Sequence, residues 1–348
     1  MLRERFPSPA KVTQRPPAKL QAQRILITGG TGFVGSHLIP YLKSSNVDLT
    51  VVSSKVPARH DSDVNYCVAD IRNADDTAAA IRAANPGQIF HLAGVSSIAA
   101  SWNDPRRALE VNVIGSYNVF EAAMRQPSPP RILNVSTAQV YAPSDVALKE
   151  TSPTSPDNPY AATKAMAELL MVQHQGSRSG GIVTVRAFNH TGPGQSPAYV
   201  LPSFAKQLAE MEAGLCAPVL KVGNIQVKRD FTDVRDVVVA YCELLAKGKT
   251  GEVYNVCSGR AVLLADLVRE LQENCSVAIE IEADPKRLRA REPALMVGDP
   301  GKIMRETNWT PRISLQSSLK DLLVYWRARV KAESAKENDD GALTESLP

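Results

Sequence analysis

Two short stretches of this 348-residue chain carry side chains that can move a proton together. One is Tyr160-Ala161-Ala162-Thr163-Lys164, and the other, about one strand earlier, is Ser136-Thr137. If Tyr160 opens a helix, Lys164 stands one turn further on, on the same face. A free phenol titrates near ~10 and is a poor acid or base at neutral pH. An ammonium beside it stabilises the phenolate. The spacing therefore predicts that Lys164 lowers the Tyr160 pKa and that the pair serves a carbonyl or alcohol oxygen. Thr137 adds a hydroxyl to hold that oxygen. Any helix with a surface Tyr and a Lys four residues on shows the same pattern, so the surrounding elements decide the reading.

Those elements begin with a short apolar strand, Arg24-Ile25-Leu26-Ile27-Thr28, which runs into Gly29-Gly30-Thr31-Gly32-Phe33-Val34-Gly35 and then a helical pattern through Leu38, Ile39 and Leu42. Strand, glycine turn and helix in succession are the context a dinucleotide-binding fingerprint requires. The glycines allow a tight turn and close approach to a pyrophosphate, and the helix N-terminus offers free N–H groups to it. Gly29, Thr31, Gly32, Phe33, Val34 and Gly35 are thus candidate cofactor contacts. The second strand, Leu49 to Ser53, ends in Ser53-Ser54-Lys55, with Arg59 close behind and no acid before Asp61. An acid there suits a free ribose 2′-hydroxyl, whereas hydroxyls and cations suit a 2′-phosphate, which favours NADP with NAD possible. A third strand, Val64 to Val68, leads to Asp70-Ile71 as an adenine edge. The strand Gln88 to Leu92 ends in Ala93-Gly94, small residues where backbone can approach a ligand, and His91 within it reads as a core side chain. One long helix is expected over roughly Arg106 to Arg125, containing Asn112. Strands alternating with helices in this way predict an α/β fold, a Rossmann-type doubly wound parallel sheet with its ligands beyond the carboxyl ends of the strands.

Composition closes off other classes. With 44% hydrophobic and 22% charged residues the chain is an ordinary globular one, and its net charge of +4 is small and scattered, which gives no footprint for nucleic acid. The five cysteines (67, 216, 242, 257, 275) lack metal-ligand spacing and read as reduced core thiols of an intracellular protein. Asp233 and Asp236 have no third ligand nearby and read as helix N-terminal acids, so no metal is expected. No apolar run reaches the ~20 residues of a membrane span and no signal-peptide h-region opens the chain, so a soluble, cytoplasmic protein with no membrane partner is expected.

The turn at 28–35, Asp70-Ile71, His91-Leu92-Ala93-Gly94, Asn112, Ser136-Thr137 and Tyr160-x-x-x-Lys164 together resemble the extended short-chain dehydrogenase/reductases, in their nucleotide-sugar branch, over about residues 24 to 330. Phe188-Asn189-His190-Thr191-Gly192-Pro193-Gly194-Gln195 and Arg229-Asp230-Phe231-Thr232-Asp233-Val234-Arg235-Asp236 are most similar to the GDP-4-keto-6-deoxy-D-mannose reductases, which make GDP-D-rhamnose. The resemblance implies Thr137, Tyr160 and Lys164 as the catalytic set. It adds Leu92, Ala93, Gly94, Phe188, Tyr160 and Lys164 to the cofactor contacts, with Lys164 on the nicotinamide ribose. It places Ser96, Thr137, Asn189, Lys206, Arg229, Arg289 and Glu292 on a GDP-sugar. Arginines at 229 and 289 suit bidentate phosphate binding. It further implies a homodimer built on the helix after Ser101 to Pro105 and the helix at Tyr160, whose apolar positions are Leu109, Val113 and Val119 on one and Met166, Leu169 and Leu170 on the other.

The nearest rival is a GDP-mannose 4,6-dehydratase. That reaction takes a proton from carbon beside a ketone and expels a hydroxyl, which needs a titrating group. The dehydratases place a Glu two residues after the Thr of the Ser-Thr pair, and this chain has Gln139, an amide. Ala142 and Ala290 depart from the reductase pattern, where Gly and Pro are usual. A binding-only module on the same fold is the reading from another class, and it has no use for the Thr137, Tyr160, Lys164 set. The expected organisation is a disordered leader at 1–22, a dinucleotide domain at 23–187 plus about 229–258, a nucleotide-sugar domain at about 188–228 plus 259–330, and a disordered tail at 331–348.

Overall fold

The computed structural model describes residues 23–55, 61–171, 180–288 and 292–344. The leader 1–22, Arg59 and Arg289 lie outside the described residues. Strands β1 (Arg24–Thr28), β2 (Asp48–Ser53), β3 (Val64–Val68), β4 (Gln88–His91), β5 (Arg131–Thr137), β6 (Gly181–Ala187) and β11 (Val253–Val256) form one sheet in the order β11-β6-β5-β4-β1-β2-β3. Every pairing in it is parallel. Its central strands read as unbroken apolar runs because both faces are covered. The chain goes from β1 outward to β2 and β3 and then returns to β4 on the other side of β1. That reversal opens a crevice at the carboxyl ends of β1 and β4.

Helices α1 (Phe33–Lys43), α8 (Val234–Lys247) and α10 (Gly301–Thr307) cover one face, packing Leu38, Leu42, Val238, Tyr241 and Ile303 with Trp309 onto the sheet. Helices α2 (Ala74–Ala84) and α5 (Ser116–Met124) cover the other through Ile81, Val119, Phe120 and Ala123. A second core joins α7 (Val200–Glu212), α9 (Leu264–Glu273) and α11 (Leu315–Thr344) through Leu201, Phe204, Leu208, Leu267, Leu322 and Trp326. Short strands tie the two cores: β7 (Asn189–Thr191) pairs with β10 (Phe231–Asp233), β13 (Glu280–Ala283) with β8 (Val219–Val222), and β9 (Lys228–Arg229) lies between β12 (Val262–Leu263) and β14 (Leu295–Met296).

Several expectations meet the structure directly. His91 is fully buried between Thr28 Oγ1 at 2.7 Å and Ser116 Oγ at 2.9 Å, and burial, helped by the Lys164 charge, pushes its pKa down to about 3. It is a neutral core residue. Asp233 caps α8, accepting from the Arg235 N–H at 2.8 Å, and Asp236 accepts from the Arg312 and Ile313 N–H groups. Among the described residues no cluster could hold a metal ion, and no helix is long and apolar enough to cross a membrane. All five cysteines are free, but only Cys242 and Cys257 are core residues; Cys67 and Cys275 are half-buried and Cys216 is exposed.

Three expectations change. The long helix is α4 (Pro105–Leu109) and α5 joined by a π-helical segment, Glu110–Gly115. The wider turn re-aims Asn112, a use typical of π-bulges. Helix α11 runs on to Thr344, through most of the segment expected to be disordered. Leu319, Leu322, Leu323, Trp326 and Val330 bury one stripe of it, and the Ala-, Glu- and Lys-rich residues beyond propagate a helix already nucleated. Ile303 and Trp309 pack with the sheet core, while the nucleotide-sugar domain had been expected to hold them.

Candidate functional site

Helix α6 (Pro159–Leu170) begins one residue before Tyr160 because Asn158 caps it, accepting from the Ala161 N–H at 2.9 Å, with Pro159 at the first helical position. Tyr160, Lys164 and Glu168 therefore share one face at intervals of one turn. The face lies against the end of β5. Lys164 Nζ donates to the Val135 carbonyl at 2.7 Å, and the Ser136 hydroxyl donates to the Glu168 carboxylate. Glu168 in turn pairs with Arg186 of β6 at 2.7 Å, both nearly buried. Thr137, the last residue of β5, is buried, and its hydroxyl is near enough to the Tyr160 phenol to favour the phenolate. Thr137 and Lys164 are thus both held at the junction of β5 with the α6 face that carries Tyr160.

The electrostatics reverse one expectation. Burial pushes the Tyr160 phenol up to about 12, the Thr137 hydroxyl only partly offsets this, and the nearby Tyr199 adds to it. Lys164 does not lower it, because its ammonium is turned to the Val135 carbonyl. Burial instead brings Lys164 down to about 8, against the pull of Glu168. The phenol is consequently protonated across the neutral range, and the group that titrates closest to it is the lysine.

Around this point the backbone is pinned. Asn112, fully buried, accepts from the Val95 N–H at 2.8 Å and donates to the Val95 carbonyl at 3.1 Å and to Thr163 Oγ1 at 3.0 Å. One amide thereby braces the loop after β4 and the first turn of α6. Gly94 lies in that loop close to Lys164 Nζ, and a Cβ there would stand 3.3 Å from it. Leu92 and Ala93 precede it at the end of β4, partly exposed to the crevice.

The glycine turn has the shape its sequence predicts. Gly29 has φ +69°, and a Cβ on it would stand 2.6 Å from the Ala93 nitrogen; one on Gly35 would stand 2.1 Å from the Gly30 carbonyl. Gly32 is the N-cap of α1 and supplies no side-chain cap, so the first-turn N–H groups at Phe33, Val34 and Gly35 have no side-chain acceptor there. Such an end is suited to an anion. Thr31 Oγ1 lies 3.5 Å from Ser53 Oγ at the end of β2, beside exposed Ser54 and Lys55. The first acid beyond them, Asp61, is taken by Lys43 at 2.7 Å. Arg72 holds the Asp70 carboxyl below its ordinary value, and Ile71 is buried with its side chain toward Gly115. These residues fit a dinucleotide with phosphates at α1.

The remaining candidates divide. Arg229 and Glu292 come together at 3.0 Å, with the guanidinium also donating to the Pro293 carbonyl. Asn189 Nδ2 donates to the Asp230 carbonyl, and Lys206 pairs with Glu210 one turn along its own helix. A cavity of about 470 Å³ opens nearby in sequence, lined by Val222 to Gln226 with Ile281, Ala283 and Leu288. Phe188 is a correction. Its side chain is buried with Tyr141, Leu148, Cys257 and Met296, so it supports the site from behind. Sequence reasoning missed Tyr199, whose hydroxyl lies 2.8 Å from Ser96 Oγ, and Asp230, whose buried carboxylate accepts from Ser258, Gly259 and Gly298. It also missed Glu168, although its spacing of four from Lys164 was a readable signal.

The family model for GDP-mannose 4,6 dehydratase matches residues 26–322. This chain belongs to that family. It is a nucleotide-sugar enzyme of the extended short-chain dehydrogenase/reductase type. A GDP-6-deoxy-D-mannose reductase of Pseudomonas aeruginosa is 35% identical over 314 residues, covering 89% of this chain and 99% of the relative. A dTDP-glucose 4,6-dehydratase of an Actinoplanes species is 28% identical, over 88% of this chain and 98% of the relative. Among solved structures, RMD from Pseudomonas aeruginosa complexed with NADPH superposes with a TM-score of 0.77 at 33% identity, covering 88% of this chain and 99% of that one. A UDP-glucose 4-epimerase from Thermus thermophilus complexed with NAD gives 0.77 at 27% identity, over 87% and 99%.

The lysine supplies a test that needs no substrate. Its folded pKa of about 8 lies below the ~10.4 of an unfolded lysine. Below pH 8 the folded state carries the full cost of a buried charge. Between the two values the unfolded state binds more protons, so stability rises with pH. The wild type is expected to gain roughly 2–3 kcal/mol in stability relative to Lys164→Met between pH 7 and pH 10.5, whatever the gap between them at pH 7. Denaturation midpoints of both proteins across that range check it. A gap that does not change with pH contradicts the burial of the charge.

Proposed function

We propose that the protein reduces the C4 ketone of GDP-4-keto-6-deoxy-D-mannose to GDP-D-rhamnose, using NADPH in preference to NADH. The observation that carries the reading is Gln139. It sits two residues past Thr137 with its side-chain amide 3.3 Å from Met296 Sδ, and no carboxylate takes its place. An amide neither removes a proton beside a ketone nor protonates a departing hydroxyl, so the dehydration chemistry of the family lacks its titrating group. Reduction needs only a hydride source and a proton donor.

In this reading, bound NADPH supplies the hydride. Tyr160, held protonated by its raised pKa, gives its proton to the ketone oxygen. Thr137 holds that oxygen by a second hydrogen bond, so charge on it stays shielded. Lys164 binds the nicotinamide ribose and keeps a positive charge beside the site below pH 8. Gly29 to Gly35 take the pyrophosphate at α1, and Ser53, Ser54 and Lys55 take the 2′-phosphate, with Asp61 occupied by Lys43. Arg229, Asn189 and Arg289 serve the sugar-nucleotide diphosphate, with Lys206 a weaker contact. The 470 Å³ cavity takes the base between the apolar walls of Ile225, Ile281 and Leu288. Purified protein with the ketosugar should oxidise NADPH faster than NADH, and with GDP-mannose alone should form no ketone. Tyr160→Phe should lose about 10²–10⁴ in turnover while still binding NADPH. A preference for NADH overturns the 2′-phosphate site, and a near wild-type rate in the variant overturns the proton donor.

The same reading includes a homodimer. Val113 and Val119 are buried in the core and cannot take part, but Trp102, Leu109, Ile114, Tyr117, Met166 and Leu169 are exposed on α3 (Ile98–Asn103), the α4–α5 helix and α6. That apolar face is what two copies would bury. Light scattering is expected to give twice the 37.7 kDa chain mass, and a monomer mass would contradict it.

A further inference from the structure

We propose that Tyr199 and Ser96 form a two-hydroxyl clamp that binds a sugar hydroxyl beside the carbon on which Tyr160 acts, and so decides which sugars are accepted. The proposal rests on the sugar-nucleotide reading above and adds Tyr199, from the turn before α7, to the site. Tyr199 sits at the N-cap position of α7 but makes no side-chain cap bond to it. Its hydroxyl instead crosses between the two cores to Ser96 Oγ, 2.8 Å away and 103 residues apart in sequence.

Ser96 is held where it is by the catalytic machinery. It follows Val95, whose N–H and carbonyl are both bonded to Asn112, and Asn112 also braces Thr163 in the first turn of α6. The Tyr199 phenol is close enough to act electrostatically on Tyr160. Ser96 lines one cavity, of about 520 Å³, with Gly94, Ser97 and Arg107, and Gly94 lies against Lys164, so the clamp stands on the side of the crevice where α6 begins.

Chemistry selects the ligand. Each hydroxyl is one donor and two acceptor sites, so a single mutual bond leaves the pair able both to donate and to accept. That matches a sugar hydroxyl, which also does both. A diphosphate calls for cations, and Arg229 stands elsewhere for that. Neither side chain is buried, and a neutral hydrogen bond in such a place adds little to the fold. Removing one hydroxyl should thus change binding and spare the structure.

The test measures, by calorimetry, the affinity of the wild type, Tyr199→Phe and Ser96→Ala for GDP-mannose and for GDP. Each variant is expected to bind GDP-mannose about three- to tenfold more weakly and GDP unchanged. The double variant should lose less than the product of the two single losses, because both hydroxyls hold one group. If the wild type binds a UDP- or dTDP-sugar in place of GDP-mannose, the base reading fails, and the same contrast with that nucleotide still decides the clamp. Unchanged affinity for the sugar nucleotide, an equal loss for the bare nucleotide, or an effect in only one variant overturns the clamp. A wild type that binds no sugar nucleotide overturns both readings.

Discussion

The site depends on how one face of α6 is fastened to the end of β5. Three residues a turn apart make the contact: Tyr160 comes near Thr137, Lys164 reaches the Val135 carbonyl, and Glu168 reaches Ser136 and Arg186. The middle and last of these are charges taken out of water. Burying an ion is costly unless its partners are well placed, and removing one partner of a buried pair typically costs about 3–5 kcal/mol. The Glu168–Arg186 pair therefore fixes the rotation of the helix about its axis, which fixes where the Tyr160 phenol points. Asn112 adds the same constraint from the other side, through Val95 and Thr163.

The family's name describes a dehydratase, and the difference between that chemistry and simple reduction rests on very few atoms. The scaffold, the glycine turn and the Tyr–Lys pair serve both, since both pass through a 4-ketosugar. What a dehydratase adds is a titrating group beside Thr137. Gln139 has the reach of a glutamate without its proton. Its backbone N–H donates to Thr137 Oγ1 at 3.2 Å, which holds residue 139 beside the threonine. Restoring a carboxylate alone would not tune its pKa, because burial and neighbours set that value.

Much of this was legible in the chain. The strand, glycine turn and helix at 24–43, the core role of His91 and the placement of Tyr160 and Lys164 on one helix face all follow from local spacing. What escaped depends on tertiary contact. The π-helical segment has no local signal, and Asn112 within it is bonded to Val95 and Thr163, which are distant in sequence. The direction of the Tyr160 shift needed the depth of burial and the orientation of Lys164, and the i to i+4 spacing gives neither. Phe188 lay in a functional-looking turn, yet the packing of Tyr141 and Met296 closed it off. Tyr199 lies 103 residues from Ser96, and only the fold brings the two together.

Most directly tested by isotope is the claim that this site reduces a ketone and cannot move the proton on the neighbouring carbon. The protein would be incubated with GDP-4-keto-6-deoxy-D-mannose and NADPH in deuterium oxide, and the product read by NMR against an enzyme-free control. The expected product is GDP-D-rhamnose with protium at C4, delivered from NADPH, and protium retained at C5. Enzyme-dependent deuterium at C5 would mean that a base works beside the ketone and would contradict the assignment of Gln139, while a ketone left unreduced at C4 would contradict the reductase.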